Sequence, residues 1–334
     1  MKWTPAHGIG AECETPEPDV QPGKCINIKD CEKLRSLLHG PNQNIDYVRR
    51  SICFIPVNGG DPDVCCPEAK RSEPFKAVVT LNKKKLFPNP LQYECGFGVN
   101  NRIANGEDAP LGAWPWMALL FYEFPGEEMK PRCGGAVINE RYVITAAHCV
   151  SPIIIGDNKL AYVRLGEHTL STNPDCRGAT NEDCLPLYIN VNVEQTIIHP
   201  NFKLNGRNAI SSDIALLRLA KVVDFQNPVT LNNGTDVLQQ LQVPIVPLAA
   251  CSVIPFFKSV TFTNEYICAG GEPNKDACMG DSGGPLMILR PGIAQYFLIG
   301  VVSFGTPYCG LIDAPSVYTR ITQYLDWILD HVKE

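Results

Sequence analysis

The chain is 334 residues long, 45% hydrophobic and 19% charged, and its net charge of −6 leaves no basic field for nucleic acid. Its fifteen cysteines, with no paired CxxC…CxxC zinc pattern, read as a disulfide framework formed outside the reducing cytosol. No apolar run reaches the roughly 18 to 20 residues of a membrane helix, because Pro244, Pro247, Pro255 and Arg290-Pro291 interrupt the most apolar stretches; a secreted protein of about two domains, away from membranes, is expected.

In chain order, Met1 to His7 run straight into the acidic, proline-rich segment from Glu12 to Asp19, without the basic end and apolar core of a signal peptide, so the chain reads as a trimmed or incomplete precursor. Cys13, Cys25, Cys31, Cys53, Cys65 and Cys66 follow, closed by Pro67, and so small a piece needs such staples to be stable. Cys65 and Cys66 are adjacent and do not easily bridge to each other, so each takes a partner elsewhere in the knot. Asp30 precedes CEKLRSLLHG, where Leu34, Leu37 and Leu38 share one face of a short helix that Gly40-Pro41 ends. From Glu68 to Arg102, Lys83-Lys84-Lys85 and scattered prolines and glycines without apolar periodicity predict an exposed linker.

Short β-branched segments come next: Ala136 to Thr145, Tyr162 to Leu165, Tyr188 to Ile198, Ile214 to Leu219, Val237 to Val246, Phe297 to Ser303 and Val317 to Ile321. So many strands between turn residues predict an all-β sandwich or barrel. Ile321, Leu325, Ile328 and Val332 then fall on one face of a terminal helix, with Tyr324 and Leu329 widening the stripe.

Hydrolysing a peptide with a serine requires a base within reach of the hydroxyl, an acid that orients the base, and donors for the oxyanion. Gly280-Asp281-Ser282-Gly283-Gly284-Pro285 sets a serine in a glycine-flanked turn, where the N–H groups of Gly280 and Ser282 can converge on a carbonyl oxygen. Of six histidines only His148 lies between a β-rich segment and a cysteine, in Thr145-Ala146-Ala147-His148-Cys149. Asp213 opens the apolar strand DIALLRL.

Taken together these motifs resemble the chymotrypsin-like serine proteases over residues 103 to 334, and the six-cysteine module resembles the clip domain of arthropod clip-domain serine proteases. The resemblance implies a clip domain at 13–67, a linker with the activation segment at 68–102 and a two-barrel protease domain with a C-terminal helix at 103–334. By the same resemblance His148 is the general base, Asp213 fixes its tautomer, Ser282 is the nucleophile, and the oxyanion hole is formed by Gly280 and Ser282. Cleavage after Arg102, in Arg102-Ile103-Ala104-Asn105-Gly106, would free the Ile103 amine to pair with Asp281. Asp276 would form the floor of the specificity pocket and select Arg or Lys, with Ser303-Phe304-Gly305 as its substrate-facing edge. Ser316 stands where trypsin-like members carry a pocket-wall glycine, and its side chain would narrow the pocket.

The family's pairing would link Cys13 to Cys65, Cys25 to Cys53, Cys31 to Cys66, Cys133 to Cys149, Cys176 to Cys184, Cys251 to Cys268 and Cys278 to Cys309. That leaves Cys95 over, since its family partner downstream of the catalytic aspartate is missing. A Gly-Trp-Gly motif is missing from the same region: the sequence passes from Val222-Val223-Asp224-Phe225 almost directly to Asp236-Val237-Leu238, a loss of about 20 to 30 residues. The inter-barrel crossover and the opening strand of the second barrel would be lost, leaving that barrel incomplete. Glu167, Thr169, Thr172 and Asp175 resemble a calcium loop, and Asn233-Gly234-Thr235 is a glycosylation sequon.

Two functional readings follow. One is a secreted endopeptidase zymogen of an extracellular cascade in immunity, melanisation, clotting or development. It would need no cofactor for catalysis, a calcium ion at the resembling loop being structural, and its partners would be a downstream zymogen, an upstream trypsin-like activator and serpins. The other is a non-catalytic relative or truncated splice form that acts as a binding partner.

Overall fold

A computed structural model describes residues 12–16, 22–38, 44–54, 61–67, 85–89, 95–97, 107–177, 183–204, 210–223, 236–289 and 295–334. The chain divides into two compact units, Met1–Ala77 and Val78–Glu334.

The first unit contains β1 (Glu12–Glu14), β2 (Pro22–Asn27), α1 (Glu32–Arg35), α2 (Ile45–Arg50), β3 (Ile52–Phe54) and β4 (Asp63–Pro67), with the strands ordered β1-β2-β4-β3. Leu34 is the buried face of α1, and the chain tightens at once into a 3-10 turn over Ser36–Leu38, so the expected helix is shorter than its leucine pattern. Helix α2 was not foreseen. Its start is set by Asn44, whose side chain accepts the Tyr47 N–H at 3.1 Å, and it buries Tyr47 and Val48. These side chains meet Ile28, Cys31 and Val64 in a very small core. Disulfides Cys13–Cys65, Cys25–Cys53 and Cys31–Cys66 supply what that core cannot.

The second unit begins its sheets with β5 (Glu107–Asp108), β6 (Met117–Glu123), β7 (Lys130–Asn139), β8 (Tyr142–Thr145), the short helix α3 (Pro152–Ile155) and β9 (Lys159–Leu165). The Cys176–Cys184 disulfide staples a small hairpin, β10 (Cys176–Arg177) and β11 (Asp183–Cys184). Next come β12 (Ile189–Val191), β13 (Val193–Ile198), the hairpin β14 (Lys203–Leu204) and β15 (Ile210–Ser211), and β16 (Ala215–Leu219).

The large sheet runs β12-β9-β6-β7-β8-β16-β13. Its two end strands are consecutive in the chain, separated only by Asn192, so one kinked strand closes the barrel. Tyr122, Tyr142, Leu119, Ile144 and Leu216 fill it. Two expected strands are corrected here. Ala136 to Thr145 is a hairpin turning at Glu140-Arg141, where Asn139 accepts the Arg141 N–H at 2.9 Å, and Tyr188 to Ile198 is broken at the kink. The expected exposed linker is corrected at Leu86 and Phe87, which pack against this barrel while Leu86 O accepts from Asn139 Nδ2 at 2.9 Å.

The remaining elements are β17 (Gln239–Gln240), β18 (Ile245–Val246), α4 (Leu248–Ser252), β19 (Tyr266–Gly270), β20 (Pro285–Leu289), β21 (Tyr296–Phe304), β22 (Pro315–Arg320) and α5 (Leu325–His331). Val237 to Val246 is not one strand: β17 pairs with β5, β18 pairs with β19, and Pro244 between them has no N–H to give a ladder. Strands β19 and β20 were not foreseen. The second sheet runs β18-β19-β22-β21-β20 and does not close among the described residues, so the incomplete barrel takes the form of five strands with two open ends. Ile245 on β18 and Ile288 and Leu289 on β20 are exposed there. Before α5 the chain makes a 3-10 turn over Ile321–Gln323, which shifts the helical phase. Tyr324 is therefore buried against the first barrel and Leu325 is 48% exposed, contrary to the expected stripe.

Candidate active site

Three elements of the second unit meet at the first barrel's edge. Thr145 ends β8, and the chain turns through Ala146 into the 3-10 turn Ala147–Cys149 that carries His148. The Cys133–Cys149 disulfide ties this turn to β7, and Tyr122 Oη donates to Cys149 O at 2.8 Å. Asp213 stands just ahead of β16, after Ser212, whose φ of +48° is left-handed backbone that a side chain rarely adopts.

The two residues lock together through two bonds. Asp213 Oδ1 accepts the His148 backbone N–H at 2.9 Å, and Asp213 Oδ2 lies 2.8 Å from His148 Nδ1. Two further donors hold the aspartate: Ser303 Oγ reaches Oδ2 at 2.5 Å, and Thr319 Oγ1 reaches the backbone oxygen at 2.8 Å. Asp213 is 1% exposed, so its carboxylate is dry and fully bonded. With Nδ1 bonded to Asp213, Nε2 is the nitrogen left to act as general base, and Cys149 Sγ of the disulfide lies 3.7 Å from it. Ser303, expected as a pocket edge, is 5% exposed and turns its hydroxyl to the aspartate.

Ser282 is held by its backbone. Its carbonyl accepts the Gly134 N–H at 2.8 Å, while Thr145 Oγ1 donates to Gly134 O at 2.7 Å. Gly283 adopts φ +81°, and a Cβ there would sit 2.2 Å from Thr145 Oγ1 and 2.4 Å from Gly134 O. This close approach explains the glycine after the serine in physical terms and brings the Ser282 turn to the end of β8, next to His148. Among the described residues no hydrogen bond joins Ser282 Oγ to His148. Gly280 has φ +106°. Asp281 Oδ2 accepts the Cys278 N–H at 2.7 Å, and no cation pairs with it among the described residues. Desolvation pushes its carboxyl up, the Cys278 N–H opposes this, and the charge of Asp276 adds to it. Arg102, Ile103 and Asn233 lie outside the described residues.

The Asp276 side chain is half-buried, with Ser316 Oγ donating to its Oδ1 at 2.6 Å and the Gly310 N–H donating to its Oδ2 at 3.2 Å. Cys278–Cys309 and Cys251–Cys268 brace the surrounding loops. Cys95 is the one cysteine outside the seven disulfides; its Sγ lies 3.7 Å from Pro88 O, and its carbonyl accepts from Gln295 Nε2 at 2.8 Å.

In the loop after β9, Glu167 is fully buried with Arg164 Nη1 on its Oε2 at 2.9 Å, while its Oε1 has no partner. Burial pushes its carboxyl up to about 7, with Arg164 opposing and Asp175 adding to the rise. Asp175 Oδ2 accepts the N–H groups of His168 and Thr169, at 2.8 and 3.0 Å, and Thr172 Oγ1 donates to its Oδ1 at 2.5 Å. Thr169 Oγ1 contacts His168 Nδ1 at 3.2 Å. An orphaned buried carboxylate oxygen beside a second carboxylate fits a hard divalent cation. The open position is Glu167 Oε1, since both Asp175 oxygens and both threonine hydroxyls are engaged inside the loop.

Comparison with known proteins defines the class. The trypsin family model matches residues 103–232 and 227–328, and the regulatory CLIP domain of proteinases matches residues 13–66. The chain belongs to the trypsin family in its clip-domain branch and is a serine-type endopeptidase. It is 33% identical to Melanization protease 1 of Drosophila melanogaster, over 99% of the chain and 95% of that protein. It is 34% identical to CLIP domain-containing serine protease B9 of Anopheles gambiae, over 98% and 94% respectively. The crystal structure of the drosophila Grass clip serine protease of the Toll pathway superposes with a TM-score of 0.63 at 31% identity, covering 97% of each chain. The trypsin match falls into two pieces that overlap at residues 227–232, within the stretch where the sequence pattern leads one to expect a missing block. Among the described residues no helix is long and apolar enough to cross a membrane.

Proposed function

We propose that this chain is a secreted zymogen of an extracellular proteolytic cascade, of the melanisation or Toll kind carried by the relatives, in which cleavage after Arg102 produces an endopeptidase cutting after basic residues. The observation that carries the reading is the dry, fourfold-bonded Asp213 against His148. Ser282 attacks the scissile carbonyl, His148 takes its proton and returns it to the leaving amine, and Asp213 stabilises the imidazolium. The N–H groups of Gly280 and Ser282 receive the oxyanion once Asp281 exchanges its Cys278 contact for the new Ile103 amine. Glu167 and Asp175 would hold a calcium ion that stiffens the loop after β9 and takes no part in the chemistry. The substrate is a downstream zymogen, the activator an upstream trypsin-like protease, and serpins are the inhibitors.

Cleaving the full chain after Arg102 is expected to generate amidase activity on a basic chromogenic substrate and labelling by a fluorophosphonate, both lost in Ser282→Ala. Cleaved, folded protein that shows neither would sink the reading.

A further inference from the structure

We infer that Ser316 makes this a lysine-selecting pocket that disfavours arginine, an inference resting on the catalytic reading above. Ser316 lies on β22, is 3% exposed and donates its hydroxyl proton to Asp276 Oδ1 at 2.6 Å, while the Gly310 N–H holds Oδ2 at 3.2 Å. Each oxygen of the floor carboxylate already carries a donor from the chain. The hydroxyl also takes up room: a Cβ built on Gly305, at the expected pocket edge, would come within 2.9 Å of Ser316 Oγ.

An arginine gains its advantage from two parallel N–H bonds, one to each carboxylate oxygen. Here the serine takes one acceptor site of one oxygen and its side chain stands in front of it, so a fork meets the carboxylate with less room and fewer open sites than at a glycine. An ammonium asks for less. It is a compact charge with three rotatable donors, and an oxygen that has given its own proton to Asp276 still has lone pairs to accept from it. The bonds then run from ammonium to Ser316 Oγ and from Ser316 to Asp276, so the carboxylate's charge reaches the cation through the hydroxyl. A shorter path also suits the shallower pocket, because the bound cation stops at the serine instead of the floor.

The test uses the full chain cleaved after Arg102, with matched Lys and Arg chromogenic peptides. The wild type is expected to show kcat/KM for Lys above Arg by about tenfold, the worth of one charge-assisted bond. Ser316→Gly is expected to reverse the order, and Ser316→Ala, which keeps the Cβ and removes the acceptor, to slow both substrates. An Arg preference in the wild type, a ratio unmoved by Ser316→Gly, or cleavage after small neutral residues would overturn the inference while leaving the catalytic reading standing. If neither peptide is cut and Ser282 takes no fluorophosphonate, that reading fails instead. The pocket is then judged by displacement of p-aminobenzamidine fluorescence, where Ser316→Gly must bind benzamidine more tightly relative to n-butylamine than the wild type does, or the inference falls.

Discussion

Asp213 is fixed by four donors, and substitutions at and around the triad predict different losses. Asp213→Asn keeps the shape but favours the wrong histidine tautomer, and kcat is expected to fall about 10⁴-fold in steady-state assays with little change in KM. Ser303→Ala removes one charge-assisted bond from a buried carboxylate, and a fall of about tenfold in kcat with little change in KM is expected in steady-state assays. Gly283→Ala acts on the fold. Its Cβ meets Thr145 Oγ1 and the Gly134 carbonyl in a left-handed backbone, so chemical denaturation should show a loss of about 2 to 4 kcal/mol, or no soluble protein. The three motif residues were legible because each carries a local signature. Ser303 and Thr319 were not legible as partners of Asp213: they lie on β21 and β22, about a hundred residues on, and only the sheet brings them there.

At the level of elements, long runs of β-branched residues announced strands but not their breaks. Ala136 to Thr145 reads as one apolar run, yet the turn at Glu140-Arg141 is held by the Asn139 side chain, which no hydrophobic period registers. Tyr266–Gly270 and Pro285–Leu289 carry a weak strand pattern because a cysteine, a glycine and a proline dilute it, although sheet pairing decides their state. The loop after β9 makes the clearest energetic prediction at this scale. The Glu167 carboxyl is held near 7, above its ordinary 4.5, so the stability its neutral form supplies is present below 4.5 and is lost as pH rises to about 7. Calcium bound at that carboxylate, as proposed, would offset the loss. Saturating calcium is therefore expected to raise the thermal midpoint by about 5 °C at pH 8 and by much less at pH 5, with Glu167→Gln insensitive in both. Equal shifts at the two pH values, or a shift retained in Glu167→Gln, would count against a calcium site there.

Over the whole molecule, the seven disulfides fall on either side of the proposed activation bond: three within residues 13–66 and four within 133–309. No bridge spans Arg102-Ile103, so cleavage is expected to yield two bands on a gel run without reductant, and a single band would contradict it. Among the described residues, what would then hold the two fragments together is the packing of Leu86 and Phe87 on the first barrel and the hydrogen bonds to Leu86 O, Cys95 O and Gly96 O. The unclosed sheet has a consequence of another kind. The outward amides of β18 and β20 have no sheet partner among the described residues, and they flank a face that exposes Ile245, Ile288 and Leu289. In native-state hydrogen exchange those amides should trade their protons well before the ones inside the closed first barrel. The second sheet would therefore come apart first, and its bare rims are where a concentrated preparation would begin to self-associate.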